Sequence, residues 1–226
     1  MQMILTTELL LEAYRQGLFP MAESAESASV QWICPEMRGQ LSIEAMHIPR
    51  KLKRCVRQMK IKHAPYEILI DTAFEAVIKA CAQVRSGRDE TWINDQILNA
   101  YCELHAKGYA HSVECWQEGQ LVGGLYGLVL GRAFFGESMF SRQTDASKVA
   151  LAHLAARLWK GGFTVLDTQF VNAHLEQFGV YEIPYRAYME LLAEALVEEG
   201  DFLLSGVAEK ELIEAYFEMR TRQDPE

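Results

Sequence analysis

The sequence predicts an α/β (α+β) protein with a mixed sheet and flanking helices, preceded by a small N-terminal domain. Two apolar runs, 121–130 and 133–140, meet at a Gly-Arg turn, which is typical of antiparallel strands. A helical pattern over 146–160 ends in two glycines and is followed by a third apolar run at 163–169. Because this order places a helix between strands, it predicts a sheet with helices packed on it.

The N-terminal part begins with an amphipathic helix over 6–17 that Thr6 or Thr7 can cap. Trp32 stands just before a proline-bounded break, where it serves either as a plug of the core or as a stacking surface. After the helix we expect a turn at 18–21, a loop at 22–29 and a strand at 40–48.

A basic segment follows at 47–62, with seven Lys and Arg residues and no acid. Arg50, Arg54 and Arg57 recur at i, i+4 and i+7, which places them on one side of a helix. The segment is either a contact for a polyanion or a solvated helix face, and both interpretations stay open. The cations assigned to this patch are Arg50, Lys51, Lys53, Arg54, Arg57 and Lys60.

The remaining elements follow from periodicity and from capping residues. Asn94 or Thr91 can cap the helix that starts at 95, and Asp145 is expected to cap the helix that starts at 146. The C-terminal helix is rich in Glu and is expected to be an appendix to the core. The predicted elements are strands at 66–71 and 111–117, helices at 72–84, 95–107, 172–178 and 185–198, and a polar helix within 201–226.

Composition excludes several classes of protein. The 226 residues carry 22 Lys and Arg against 31 Asp and Glu, and a net charge of −9 argues against non-specific coating of nucleic acid. The five cysteines occur in no CxxC or Cys/His ligand spacing, so we expect reduced thiols, no metal and no cofactor. The sequence shows no signal peptide and no membrane span. We expect a cytoplasmic monomer with domains at 1–60 and 61–226.

Three polar residues stand out in the apolar strands. Period-2 alternation places Phe135, Glu137 and Met139 on one face of their strand. The same rule places Asp167 and Gln169 on one face of theirs. A carboxylate in such a run is costly unless it is paired, so both acids are candidates for a functional site.

A structural role for the two acids stays open beside the functional one. Each could be a buried carboxylate that bonds Arg142 or backbone N–H groups. The sequence contains no GxSxG, no HExxH and no Cys paired with a motif His. Covalent catalysis is therefore not indicated.

The order of strands, loop, helix and strand resembles the Gcn5-related acyltransferase fold. In members of that fold that use acetyl-CoA, a glycine-containing loop before the helix cradles the pyrophosphate of the coenzyme. Here the matching residues are 142–147, and Asp145 stands where a glycine is expected. Its negative charge would oppose a pyrophosphate, so the resemblance implies the fold without the coenzyme.

Six short motifs resemble the leucyl/phenylalanyl-tRNA–protein transferase family more specifically. They are LFP at 18–20, TWI at 91–93, LVGGLYG at 121–127, FGESMFSR at 135–142, ASK at 146–148 and EIP at 182–184. The resemblance implies transfer of Leu or Phe from aminoacyl-tRNA to proteins that begin with Arg or Lys, which marks them for proteolysis in bacteria. Two other classes are kept, a Gcn5-like enzyme that uses acetyl-CoA and a non-catalytic tRNA-binding module.

The same resemblance implies roles for particular residues. Gln169 would lie beside the acceptor amine, with Asp167 as orienter or proton relay and Glu137 as a further acid. Trp32 and Trp92 would hold the 3′-terminal adenosine of the tRNA, and the basic patch would meet the acceptor stem. The other residues implied in substrate binding are Leu125, Phe134, Met139, Ser141, Leu151, Leu154 and Asn172.

Overall fold

Seven strands form one mixed sheet, and helices cover both of its faces. The computed structural model describes residues 5–57, 66–83 and 91–223. The helices are α1 (Thr7–Arg15), α2 (Arg50–Val56), α3 (Phe74–Ala82), α4 (Asp95–Ala106), α5 (Ala146–Lys160), α6 (Ala173–Glu176), α7 (Tyr185–Ala195) and α8 (Glu209–Gln223). The strands are β1 (Phe19–Ala22), β2 (Val30–Ile33), β3 (Met37–Gln40), β4 (Glu67–Ile70), β5 (Ala110–Gln117), β6 (Gln120–Leu130), β7 (Ala133–Ser141), β8 (Val165–Gln169) and β9 (Tyr181–Pro184).

The predicted fold class is confirmed by the sheet. Its strand order is β4-β5-β6-β7-β8-β3-β9, and β1 and β2 form a separate two-stranded sheet. β5, β6 and β7 make the predicted antiparallel meander, and β8 returns parallel to β7 after the α5 crossover. The parallel pairing covers only three residue pairs and ends at Phe135 and Asp167. Beyond this point β7 and β8 diverge.

A bulge in β7 overturns one prediction of side-chain orientation. Tyr126 pairs with Ser138 and Gly127 pairs with Gly136, so Glu137 is the extra residue on β7. The bulge reverses the alternation for the rest of the strand. Phe135 packs in the core under α1 and α4, whereas Met139 packs in the core under α5. The prediction that Phe135, Glu137 and Met139 share one face is therefore wrong for Met139.

Close packing of α5 on the sheet depends on small residues. The buried side of α5 includes Ala150, Ala152, Ala155 and Ala156, so the helix axis can approach the strands. Its first residue lies directly over Gly123 in β6, where a Cβ atom would meet the Ala146 Cβ at 2.5 Å. The absence of a side chain at Gly123 therefore allows the first residue of α5 to pack directly on β6.

Two predictions for the N-terminal part are wrong or displaced. Residues 19–22 form β1, which pairs with β2, instead of the predicted turn at 18–21. The strand expected at 40–48 lies earlier, at β3, where it pairs with both β8 and β9. This placement brings Gly39 close to a segment that is distant in the chain. A Cβ atom on Gly39 would come within 2.8 Å of the Phe170 backbone, so the close approach requires glycine. The division of the chain at residue 60 stays a prediction.

Two of the three capping predictions hold. The Thr6 side chain accepts from the Leu9 N–H at 3.2 Å, and the Asn94 side chain accepts from the Ile97 N–H at 2.9 Å. Asp145 occupies the cap position of α5 but makes no side-chain cap, because its backbone is left-handed with φ 63°. Its carboxylate instead pairs with Lys148 at 3.1 Å. The prediction that the Asp145 side chain caps α5 is therefore wrong, although the helix begins where it was expected.

The C-terminal helix is part of the core and not an appendix. α8 packs along α5 and buries Leu212, Ile213, Tyr216 and Phe217. Its Glu209 pairs with His153 and Arg157 of α5. The abundance of Glu concealed this apolar stripe, which recurs at helical spacing.

The residues that the structure describes also bear on membrane insertion and metal binding. None of the helices among them is long and apolar enough to cross a membrane. Within the same residues, no cluster of three or more His, Cys, Asp or Glu side chains could hold a metal ion.

Replacing Gly123 by Ala should destabilise the fold, because the new methyl group would overlap Ala146 at the start of α5. We expect the free energy of unfolding to fall by about 1–3 kcal/mol. Gly136→Ala is the matched control, since its nearest neighbour is the Asp167 carbonyl oxygen at 3.4 Å, an ordinary contact. Urea unfolding of both variants measures the difference, and equal stability of the two would contradict this account of α5 packing.

Candidate active site

A cavity of about 780 Å³ lies where β7 and β8 diverge. This volume is in the range of sites that bind small molecules. One wall is the second half of β7, a second is the end of β8, and α3, α5 and the Trp92 loop close the sides. Of the predicted site residues, the cavity is lined by Trp92, Leu125, Glu137, Met139, Ser141, Leu151, Leu154, Gln169 and Asn172.

Glu137 is the carboxylate that lines this cavity. The β7 bulge aims its carboxylate at α1 and α4, where the Tyr14 hydroxyl donates to Oε1 at 2.5 Å. Tyr14 also makes a very short hydroxyl–hydroxyl contact with Tyr101. The pKa of the Glu137 carboxyl is raised to about 7, because burial and, to a smaller extent, the negative charge of Asp167 outweigh the lowering effects of the two tyrosines and Arg38. Glu137 can therefore hold or release a proton near neutral pH.

Asp167 lies behind the cavity in a fully buried ion pair. Its carboxylate accepts from Arg38 Nε at 3.0 Å and from Arg38 Nη2 at 2.8 Å. The Tyr188 hydroxyl donates to it at 2.7 Å, and the Gln169 N–H donates at 2.8 Å. Neither Asp167 nor Arg38 is exposed to solvent. The geometry fits an orienting role better than direct contact with a substrate.

Gln169 joins the two acids. Its backbone is left-handed, with φ 58°, which is uncommon for a residue other than glycine. The bond from its N–H to Asp167 holds this conformation, and its side-chain amide donates to Glu137 Oε1 at 3.3 Å. Strained backbone that neighbours hold in place is frequent at functional sites. The three polar residues singled out in the sequence therefore meet in space.

The structure also shows which partners the two acids have. Arg142 does not bond either acid; it donates to the Leu121 carbonyl oxygen at 3.1 Å and lies over the Phe140 ring. The expected bond between a buried acid and Arg142 is therefore absent, and Arg38 takes that place for Asp167. The expectation of a backbone N–H partner is met by Gln169.

Phe134 and Trp32 lie away from the cavity wall. Phe134 is fully buried and stacks on Phe202 with ring centroids 5.6 Å apart, so the expectation that it lines the substrate pocket is not met. Trp32 is partly buried in β2. Its hairpin nevertheless contacts the loop that carries Trp92, because the Ala22 N–H donates to the Trp92 carbonyl oxygen at 3.1 Å.

The predicted basic helix forms as α2. Its buried side consists of Leu52 and Val56, so its cations point outward. Lys60 lies outside the described residues. Arg50, Lys51 and Arg54 are exposed, whereas Lys53 and Arg57 are partly buried.

Sequence reasoning missed four residues that complete the site. Tyr14, Arg38, Tyr101 and Tyr188 come from four different elements, and the closest in sequence to its acidic partner is 21 residues away. Their positions within α1, β3, α4 and α7 carry no local signature, because a Tyr or Arg at one such position is ordinary in an amphipathic element. Arg38 differs from an ordinary strand residue in being buried, but burial is not visible in the sequence.

The fold and the site together define a class of enzyme. A carboxylic acid with a pKa near neutrality and an amide share a cavity large enough for an amino acid. The described residues place no Ser–His or Cys–His pair there, so the arrangement fits proton transfer and positioning rather than a covalent intermediate. Such a site fits an enzyme that catalyses direct group transfer.

Comparison with known proteins identifies the family. The model of the leucyl/phenylalanyl-tRNA protein transferase family matches residues 40–193, and the model of its N-terminal domain matches residues 3–36. The chain is 56% identical to the leucyl/phenylalanyl-tRNA–protein transferase of Paramagnetospirillum magneticum, over 88% of this chain and 92% of that one. It is 56% identical to that of Phenylobacterium zucineum and 52% identical to that of Nitrobacter winogradskyi, over 88% of this chain in both cases and 88% and 86% of theirs. The chain belongs to this family and is an aminoacyltransferase.

Replacing Arg38 by Met should destabilise the protein strongly, because it leaves Asp167 buried without its cation. We expect a loss of about 3–5 kcal/mol in the free energy of unfolding. Adding Asp167→Asn should cost less than the sum of the two single changes, since the unpaired charge is then gone. The exposed pair of Arg186 and Glu190 provides the control, and Arg186→Met should change stability by less than about 0.5 kcal/mol. Additive losses in the Arg38 and Asp167 cycle would contradict this account.

The raised pKa of Glu137 should make stability depend on pH. The folded protein holds this proton up to about pH 7, whereas the ordinary carboxyl pKa is 4.5. The stabilisation is therefore complete below pH 4.5 and is lost as the pH rises through 7, by about 3 kcal/mol. The difference in unfolding free energy between the wild type and Glu137→Gln, measured from pH 4 to 8, should fall over this interval. Parallel curves for the two proteins would show that Glu137 titrates normally.

Proposed function

We propose that this enzyme transfers Leu or Phe from aminoacyl-tRNA to the α-amine of proteins that begin with Arg or Lys. The observation that carries the proposal is the contact between Gln169 and Glu137 at the wall of the cavity, beside an acid whose pKa is about 7. Family membership adds the aminoacyl donor, since the relatives are named for leucyl- and phenylalanyl-tRNA. The product would carry an N-terminal signal for proteolysis in the cytoplasm, and the enzyme would act as a monomer without a cofactor.

The chemistry needs little more than positioning and a proton acceptor. The acceptor nitrogen attacks the ester carbonyl carbon, and the new C–N bond forms as the C–O bond to the terminal ribose breaks. The attacking amine loses one proton, and the ribose oxygen gains one. Glu137 in its ionised form can take that proton, and its conjugate acid can return it to the leaving oxygen. The amide oxygen of Gln169 would orient the amine by accepting from it, because its NH₂ group already donates to Glu137.

Asp167 would act on this reaction through Gln169. Its bond to the Gln169 N–H fixes the left-handed backbone that presents the amide to the cavity. Its charge also raises the pKa of Glu137. Asp167 is thus a positioning residue in this mechanism, and Arg38 and Tyr188 hold it in place.

The donor would occupy the apolar part of the cavity. Leu125 and Met139 face each other across β6 and β7, and Leu151 and Leu154 approach them from α5. Since an unbranched Met adapts its shape, such a pocket can accept both Leu and Phe. Trp92, with Trp32 on the adjacent hairpin, would hold the terminal adenosine by stacking, worth about 1–3 kcal/mol per base.

The two macromolecular substrates would be recognised by opposite charges. The cations of α2 would contact phosphates of the acceptor stem without reading its sequence. The net charge of −9 over the whole chain would favour acceptor proteins whose first residue is Arg or Lys.

A transfer assay tests the proposal. The protein with leucyl-tRNA or phenylalanyl-tRNA and a peptide beginning with Arg should yield a product longer by one Leu or Phe, and the same peptide with an acetylated N-terminus should not react. Mass spectrometry detects the product. Gln169→Ala should lower turnover at saturating tRNA by about 100-fold and leave tRNA affinity unchanged, because it removes positioning of the amine. Gln120→Ala, at the exposed start of β6, is the matched control.

Two results would overturn the proposal. One is the absence of transfer with both aminoacyl-tRNAs together with acetyl transfer from acetyl-CoA. The other is tRNA binding without any transfer, which would favour a binding module. A parallel loss of turnover and tRNA affinity in Gln169→Ala would instead make Gln169 a binding residue.

A further inference from the structure

The C-terminal helix α8 contacts the basic helix α2, and it lies outside both segments matched by the family models. Those matches end at residue 193, whereas α8 spans Glu209–Gln223. Two cations of α2 turn toward α8. Arg57 Nε donates to both carboxylate oxygens of Glu214, at 3.1 and 3.0 Å, and Arg57 Nη2 lies 2.8 Å from Glu214 Oε2.

An aromatic ring of α8 receives the same two cations. The Arg57 guanidinium lies 5.0 Å from the centroid of the Phe217 ring, and the Lys53 ammonium lies 5.1 Å from it. Phe217 is itself buried, so its position is fixed by the core. The positive charges of Lys53 and Arg57 therefore interact with the Phe217 ring of α8.

α8 is held firmly enough to define these contacts. At its first turn Glu209 bonds His153 and Arg157 of α5, with His153 Nδ1 3.0 Å from Glu209 Oε2. Further along, the Tyr216 hydroxyl donates to the Ile43 carbonyl oxygen and Arg220 donates to that of Met46. These two bonds tie α8 to the segment that leads into α2. The relative position of the two helices is thus set from both sides.

Lys51 and Arg54 of α2 make no ion pair or cation–ring contact with α8 among the described residues. Lys51 and Arg54 are exposed, and among the described residues neither takes part in an ion pair. Arg54 and Arg57 are less than one helical turn apart and carry the same side chain. They differ in that only Arg57 has a carboxylate partner within the part of the chain that the structure describes.

We propose that α8 divides the cations of α2 into two sets, masking Lys53 and Arg57 and leaving Lys51 and Arg54 to contact the tRNA backbone. This inference rests on the proposed function, in which α2 faces the tRNA. Glu214 is then a specificity residue of the basic surface, because it limits how many phosphates the surface can neutralise. A smaller number of phosphate contacts reduces non-specific binding to other RNA.

The salt dependence of tRNA binding tests the division. Each lost phosphate contact should reduce the slope of log affinity against log salt concentration by about 0.9. Arg54→Gln should show this reduction, whereas Arg57→Gln should leave the slope unchanged. Glu214→Gln releases Arg57 and should steepen the slope by up to about the same amount. Glu211→Gln is the matched control, since Glu211 is exposed on the same helix and the change in charge is equal.

The outcomes separate this inference from the proposed function. Equal reductions in slope for Arg54→Gln and Arg57→Gln would overturn the masking, as would equal slopes for Glu214→Gln and Glu211→Gln. Unchanged binding in all variants would overturn it too, and the transfer assay would then show whether the enzyme binds tRNA through another surface. Urea unfolding of each variant, with an unchanged midpoint, excludes a loss of folding as the cause.

Discussion

The buried ion pair between Arg38 and Asp167 is the interaction on which the rest of the site depends. Arg38 also donates to the Gly17 carbonyl oxygen at 2.9 Å and lies between the rings of Phe19 and Tyr188, each 4.7 Å away. The pair therefore joins the end of α1, the β1 strand, β3, β8 and α7. A buried charge without a partner is far more costly than a paired one, so these segments must all be in place together. The end of β8 that lines the cavity is thereby held by several segments that are distant in the chain.

The second constraint is the bulge at Glu137. It turns one carboxylate out of the regular alternation and aims it at Tyr14 and Tyr101, while it returns Met139 to the opposite core. The bulge comes just after the point where β7 and β8 stop pairing, so the gap between the strands opens at the acid. The ion pair also affects the residue at the bulge, because the charge of Asp167 contributes to the raised pKa of Glu137. Both members of the ion pair therefore affect the pKa of Glu137, since Asp167 raises it and Arg38 lowers it.

The helices at the two ends of the chain play comparable roles on the two faces of the sheet. α1 supplies Tyr14 to the acid in the cavity, and α8 supplies Glu214 and Phe217 to the basic helix. Both helices were expected from the sequence, but their partners were not, since each partner lies more than 100 residues away in the chain. A terminal helix that looks like an addition in the sequence can therefore set the charge of a surface formed by another segment.

The sequence by itself determined the elements whose signals are local. The β5–β6–β7 meander, the helix after it and the caps at Thr6 and Asn94 follow from alternation, glycine turns and short polar side chains, and its motifs also indicated the family. Only the tertiary structure decided which way Glu137 points, that β3 enters the main sheet, and that Arg38 rather than Arg142 pairs with Asp167. These features depend on strand register and on burial, which arise when distant segments meet. A local pattern cannot specify them, because a shift of one residue in register reverses every face that the pattern assigns.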